Sequence, residues 1–118
     1  MTMTAFNPLN EAHVASARAA VVEAVKGLRS GDLPFVEAVR IISMHRFRLS
    51  GALDNPDFLL FAAIDSETDH LPARYVRAQC SSSWLKACDR EASEVAAKHA
   101  DAVSAACNGI LPVLDEPA

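Results

Sequence analysis

The stretch that decides the fold is Asn55-Pro56-Asp57-Phe58-Leu59-Leu60-Phe61-Ala62-Ala63-Ile64. It opens with an N-cap residue, a proline suited to the first helical position and an acid suited to the positive end of a helix. The apolar run that follows has no polar face, so its periodicity fits a buried strand as well as a buried helix. A lone strand cannot satisfy its own backbone groups, and no second strand is evident in the chain. The opening residues therefore favour a buried helix.

Two helices are predicted before this stretch. Apolar residues recur at helical spacing over about residues 10–29, and Gly31 can take the left-handed conformation after the helix end. Asp32 is expected to cap a second helix, with Pro34 in its first turn and its end near Ser50-Gly51. Because the link is short, the two helices should form an antiparallel hairpin.

Two more helices are predicted after the deciding stretch. A proline can open a short helix over about residues 72–79, in which Tyr75 and Val76 should face inward. The serines at 81–83 can cap a last, long helix over residues 84–108.

The last helix is expected to end at Asn108-Gly109, and Pro112 should prevent it from resuming. Its small side chains form one seam at helical spacing, against which a partner helix could pack closely. The seam comprises Cys88, Ala92, Val95, His99, Ala102 and Ala106. A lone histidine on such a seam is predicted to be a hydrogen-bonded core residue rather than a metal ligand.

These elements predict an all-α fold, a compact single-domain bundle of four to five helices. We expect one domain over residues 1–118, with a core at about 9–111 and loose ends at 1–8 and 112–118. Hydrophobic residues make up 51% of the chain and charged residues 22%, which is typical of a folded domain. The apolar run Phe58–Ile64 is far shorter than the roughly 20 residues that span a bilayer, so no membrane partner is expected.

Charge and cysteine content narrow the partners. The formal net charge of −4 argues against nucleic acid, which needs a cationic surface, and fits a basic protein partner. The first residues lack the basic and apolar regions of a signal peptide, and three cysteines are an odd number, as expected for reduced thiols. These features predict a cytoplasmic location. No glycine-rich phosphate loop is present in the sequence, and no cofactor is expected.

The stretch Asp65-Ser66-Glu67-Thr68-Asp69-His70 is the densest cluster of functional side chains. Carboxylates and imidazole are typical metal ligands and general acids or bases. Turns select the same residue types, so the alternative is a solvated loop in which Ser66, Thr68 or Asp69 caps the following helix. We predict Asp65, Glu67, Asp69 and His70 as binding residues, with no catalytic set and no metal site.

Arg46 is the fifth predicted binding residue. With 100° per residue, it falls within about 20° of the centre of the second helix's apolar stripe, set at Phe35, whereas Arg40 falls on the far side. A cation buried there needs a paired anion, since an unpaired buried charge is very costly. We therefore expect Arg46 to reach Asp65 or Asp69. The alternative is that the helix phase drifts near its end and the side chain extends to water.

The stretch from Asp57 to Pro72, with Ile64-Asp65-Ser66-Glu67-Thr68-Asp69-His70-Leu71-Pro72 at its centre, resembles a family of small uncharacterised bacterial proteins. Members carry a similar acidic segment followed by a proline and later by a tryptophan, here Trp84. The resemblance implies a bacterial source and a role for the acidic segment beyond capping. It supplies no catalytic residues, because the family has no established activity.

The sequence supports three functions, in order. The first is a non-enzymatic protein-binding module of the inhibitor or immunity type, which fits the small size, the acidic charge and the lack of a recognisable catalytic set. The second is a homo-oligomeric helical scaffold joined through the seam of the last helix. The third is a metal-dependent enzyme that uses residues 65–70 and needs a further ligand, for which His45 is the candidate.

Overall fold

A computed structural model describes residues 8–115 of the chain, and the side chains of residues 11–114. This part of the chain contains four α-helices, two short 3-10 helices and no strand. The α-helices are α1 (Pro8–Ser30), α2 (Phe35–His45), α3 (Pro56–Glu67) and α4 (Ser82–Asp115), and the 3-10 helices are Arg46–Arg48 and Arg74–Gln79. The prediction of an all-α, single-domain bundle of four to five helices is confirmed.

The start of α3 forms as its opening residues predict. Asn55 Oδ1 accepts hydrogen bonds from the backbone N–H groups of Asp57 (2.8 Å) and Phe58 (3.3 Å), and Pro56 occupies the first turn. These N–H groups have no partner inside the helix, so the cap stabilises the helix start by about 1 kcal/mol.

The core lies where one face of α3 meets the other three α-helices. Phe58, Phe61 and Ile64 point into this core and are buried, whereas Leu59 is 46% exposed. The apolar run is therefore helical, as predicted, but is buried on one face only. Further core side chains are Ala17, Val21, Ala24 and Val25 of α1, Val39 and Ile42 of α2, Val95, Val103, Ala106, Cys107, Ile110 and Leu114 of α4, and Leu49 and Ala52 between α2 and α3.

The link between α1 and α2 is short, and the two helices pack against each other. Gly31 takes the predicted left-handed conformation (φ +84°), and its N–H and that of Leu33 donate to the Gly27 carbonyl at 3.0 and 3.1 Å. The prediction that Asp32 caps α2 is wrong, because Pro34 is the N-cap residue and no described side chain caps this helix. Pro34 has an extended backbone (ψ 143°), so the helix begins only after it.

α2 ends at His45, before the predicted end near Ser50-Gly51. The N–H of Arg46 donates to the carbonyl of Ser43, three residues back, and the chain tightens into a 3-10 helix. Gly51 then takes a left-handed conformation (φ +78°), which glycine adopts without the strain that a side chain would bring.

The segment between α3 and α4 departs from the predicted short helix. A 3-10 helix forms from Arg74 rather than an α-helix from Pro72. Tyr75 is 85% exposed, so the prediction that it faces inward is wrong, while Val76 is half-buried. The predicted serine cap of the last helix is confirmed, because the Oγ of Ser81 accepts a hydrogen bond from the N–H of the third residue onward, at 3.2 Å.

α4 continues past Asn108-Gly109, where we predicted its end. Gly109 allows close packing instead, since a Cβ at this position would collide with the carboxylate of Asp57. Pro112 removes one helical hydrogen bond, at a cost of about 3 kcal/mol. Ile110 and Leu114 are buried on either side of it, and two such side chains contribute about 3–6 kcal/mol, so the helix continues through the predicted loose end.

The seam of α4 packs inside the chain, in part as predicted. Cys88, Val95 and Ala106 are buried. Ala102 is exposed, and Val103 beside it is buried in its place. The predicted loose N-terminal end lies outside the described residues, apart from the first residue of α1.

α4 sets the length of the molecule. Its 34 residues would span about 51 Å at 1.5 Å per residue, which is most of the longest molecular extent of 57 Å. Its C-terminal half supplies most of its core side chains, and its N-terminal half reaches the segment around Arg77, which forms an ion pair with Asp89 at 2.9 Å. Among the described residues, none of the helices combines the length and the apolar character needed to cross a membrane.

The cap of α3 gives a direct test of the fold. Asn55→Ala removes the acceptor for two backbone N–H groups and should lower the free energy of unfolding by about 1 kcal/mol. Asn55→Asp keeps a capping oxygen and should stay near the wild-type value. Urea denaturation of the three proteins measures this difference, and an alanine variant as stable as the aspartate variant would contradict the cap.

Candidate binding surface at the end of α3

The predicted binding segment, residues 65–70, straddles the end of α3. Its first three residues form the last turn of the helix, and Thr68 is the C-cap residue. Thr68 is fully buried, and its Oγ1 donates to the carbonyl of Ile64 at 2.8 Å. The prediction that Ser66, Thr68 or Asp69 caps the following helix is wrong, because the threonine hydroxyl closes α3 and no described side chain caps the next helix.

Glu67 is fixed by two cationic partners on α4. One carboxylate oxygen lies 2.8 Å from Lys98 Nζ and the other lies 3.0 Å from His99 Nε2. The hydrogen bonds from Lys98 and then from His99 lower the pKa of Glu67, because both favour the ionised carboxylate. The predicted hydrogen-bonded histidine on the α4 seam is therefore confirmed, and its side chain is largely buried.

His70 is also held by α4. Its Nε2 lies 2.6 Å from Glu91 Oε2, and both side chains are exposed. The two pairs together attach the end of α3 and the following turn to α4, each at a separate turn of that helix.

Asp65 and Asp69 differ from their neighbours, because neither forms an ion pair with a cation among the described residues. Asp69 is exposed and Asp65 is half-buried at the end of α3. Of the four predicted acidic-segment residues, these two keep a carboxylate that no positive group within the described chain neutralises.

The structure does not bring Arg46 to this surface, and the predicted pair with Asp65 or Asp69 is wrong. Arg46 Nη1 donates to the carbonyl and the Oγ of Ser43, at 3.0 and 3.1 Å, and its guanidinium lies 4.1 Å from the centre of the Phe47 ring. The reason is topological. The chain runs from the end of α2 into the start of α3, so Arg46 lies toward the opposite end of α3.

Arg40 is the residue that sequence reasoning missed. Its Nη2 donates to the carbonyls of Thr68 (2.8 Å) and Leu71 (2.9 Å), and thus joins α2 to the end of α3. Carbonyls at a helix C-terminus lack partners within the helix and carry partial negative charge, which favours a cation there. Helical phase placed Arg40 on the far side of α2, but a long side chain can reach carbonyls beside the core without entering it.

The described residues contain no group of three His, Cys, Asp or Glu side chains that could hold a metal ion. His45, the expected ligand from another helix, ends α2 away from the acidic segment, for the same topological reason as Arg46. Its pKa is lowered by burial and by the nearby charge of Arg48.

No protein-family model, curated protein or solved structure matches this chain. The resemblance of its acidic segment to small bacterial proteins therefore stays a prediction.

The lowered pKa of Glu67 gives a pH-dependent contribution to stability. The folded chain loses this proton more readily than the unfolded chain, so the two ion pairs stabilise the fold above about pH 4.5. That contribution is lost as the pH falls through the lower pKa of the folded state. Glu67→Gln should therefore lose less stability on acidification below about pH 4.5 than the wild type.

Thermal unfolding at several acidic pH values measures this effect. Asp65→Asn is the matched control, because it removes a carboxylate that has no cationic partner among the described residues, and it should keep the wild-type slope. If Glu67→Gln follows the wild-type slope, the pairs with Lys98 and His99 do not form in solution.

Proposed function

We propose that this protein is a non-enzymatic binding module of the inhibitor or immunity type, which engages a basic protein through Asp65 and Asp69. The observation that supports the proposal is the contrast within the acidic segment. Glu67 and His70 are paired with α4, whereas Asp65 and Asp69 have no cationic partner among the described residues. Their charge is available to a partner.

The setting of the two carboxylates suits recognition. The buried hydroxyl of Thr68 and the guanidinium of Arg40 fix the backbone between Asp65 and Asp69. A rigid position lowers the entropy lost on binding. In a chain of net charge −4, unneutralised carboxylates also speed the approach of a basic partner.

The pairing of Glu67 and His70 favours binding over catalysis. A general acid or base works best with a pKa near the operating pH. The two hydrogen bonds on Glu67 lower its pKa and keep it ionised, and His70 is engaged by Glu91. Both side chains therefore serve as structural ties to α4 in this arrangement.

A bacterial cytoplasmic setting is part of the proposal. The acidic segment resembles that of small bacterial proteins, and Cys80, Cys88 and Cys107 are free thiols. Burial raises the pKa of Cys88 and of Cys107, which keeps both thiols protonated and unreactive. Such thiols fit a reducing compartment.

Affinity capture at low salt tests the proposed binding surface. The double variant Asp65→Asn with Asp69→Asn should lose a basic protein that the wild type captures from its native lysate, and added salt should release that protein from the wild type. The matched control is Glu94→Gln with Asp101→Asn, which removes the same charge from exposed positions on α4. Equal capture by both double variants would contradict the proposed site.

A homo-oligomeric scaffold is the second candidate. The seam of α4 is used within the chain, so this proposal now rests on four large apolar side chains that are between 46% and 66% exposed. They are Met44, Phe47, Leu53 and Leu59, from the end of α2 to the first turns of α3. Exposed apolar groups in one region are typical of interfaces between proteins.

Sedimentation over a range of concentrations tests this second candidate. The wild type should associate, and Phe47→Ser should shift the association to higher concentration. Tyr75→Ser, at an exposed aromatic residue in another region, should leave it unchanged. A wild-type chain that stays monomeric throughout would rule the scaffold out.

A further inference from the structure

A half-open groove of about 500 Å³ lies between the first turns of α2, the segment 71–77 and the N-terminal half of α4. This volume is within the range of small-molecule sites, roughly 300–1,000 Å³. Asp65 and Asp69 do not line the groove, so it is separate from the proposed protein-binding surface.

Much of the groove wall is apolar. The apolar lining side chains come from all three elements and are Pro34, Phe35, Val36, Leu71, Pro72, Ala92 and Ala96. Small residues on α4 leave the space open, because a larger side chain at Ala92 or Ala96 would extend into it. Such a wall favours an apolar body in the groove over a fully polar ligand.

The charged groups of the groove leave one cation uncompensated. Arg77 forms an ion pair with Asp89 at 2.9 Å, and Arg74 lies 3.8 Å from Glu37. Arg40 also lines the groove, but it has no carboxylate partner among the described residues. In a chain of net negative charge, this groove is therefore a place where an anion is favoured.

The guanidinium of Arg40 is fixed in advance. Its Nη2 donates to the carbonyls of Thr68 and Leu71, which sets the orientation of the planar group. Its Nε and Nη1 carry no hydrogen bond within the described chain and are not among the fully buried polar atoms. They remain open to an acceptor, and arginine binds a carboxylate through such paired donors.

We propose that this groove binds a small organic molecule that carries one carboxylate on an apolar body, with the carboxylate on Arg40. One uncompensated positive charge matches a monoanion. A phosphate monoester, which carries about −1.5 to −2 at neutral pH, would exceed it. The apolar wall then contacts the body of the molecule.

Titration of the ¹⁵N-labelled protein with 3-phenylpropionate tests the proposal. Saturable shifts are expected at the backbone amides of Val36, Leu71 and Ala92, which line the groove. The uncharged analogue 3-phenylpropanamide should bind about tenfold more weakly or not at all, because it lacks the charge-assisted pair with Arg40. Equal binding of the two compounds, or no saturable shift with the carboxylate, would overturn the proposal.

Two variants separate ligand binding from folding. Ala92→Leu should fill the groove and abolish the shifts, whereas Ala97→Leu, on an exposed position of α4 outside the groove, should retain them. Arg40→Gln should weaken binding about tenfold and Arg40→Lys, which keeps the charge, should weaken it less. Unchanged binding by Ala92→Leu would place the ligand elsewhere.

A peptide arm distinguishes the source of the carboxylate. The tripeptide Gly-Gly-Phe presents a similar carboxylate at the end of a chain. Binding of 3-phenylpropionate with equal or higher affinity supports a free small molecule. Binding of the tripeptide alone would show that the groove is built for a peptide end, and the proposed ligand class would be wrong.

Discussion

The guanidinium of Arg40 donates two hydrogen bonds, to the carbonyls of Thr68 and Leu71, and so joins α2 to the end of α3 and to the turn that follows. These carbonyls lie where the helical ladder stops and partners are needed. Without a donor from α2, a half-buried pair of acceptors would depend on water. The interaction therefore sets where the chain leaves the bundle on its way to α4.

This constraint positions both proposed sites. On one side, the end of α3 carries Asp65 and Asp69 on a backbone that Arg40 and the buried hydroxyl of Thr68 hold in place. On the other side, the same guanidinium lines the groove beneath the segment 71–77. A single side chain thus orders an acidic surface and supplies the uncompensated charge of a neighbouring pocket.

Local signals in the sequence predicted the helices well, and contacts between distant residues explain the errors. Asn55 and Gly31 act within a few residues of their own position, so their capping and turn roles follow from the sequence. The ends of α2 and α4 depend on tertiary burial, as Leu114 shows beyond an internal proline. The partner of Arg46 depended on which end of α3 faces it, and helical phase carries no information about that.

The most direct test compares Arg40→Ala with Arg48→Ala by urea denaturation and by hydrogen exchange of the Leu71 amide, which donates to the Thr68 carbonyl. Arg48 is exposed and serves as the matched arginine. We predict that Arg40→Ala lowers the free energy of unfolding by about 2 kcal/mol, since hydrogen bonds from charged donors contribute about 1.5–3 kcal/mol when buried and less when half-exposed. It should also speed exchange at Leu71. Equal stability and equal exchange in the two variants would contradict the central role of Arg40.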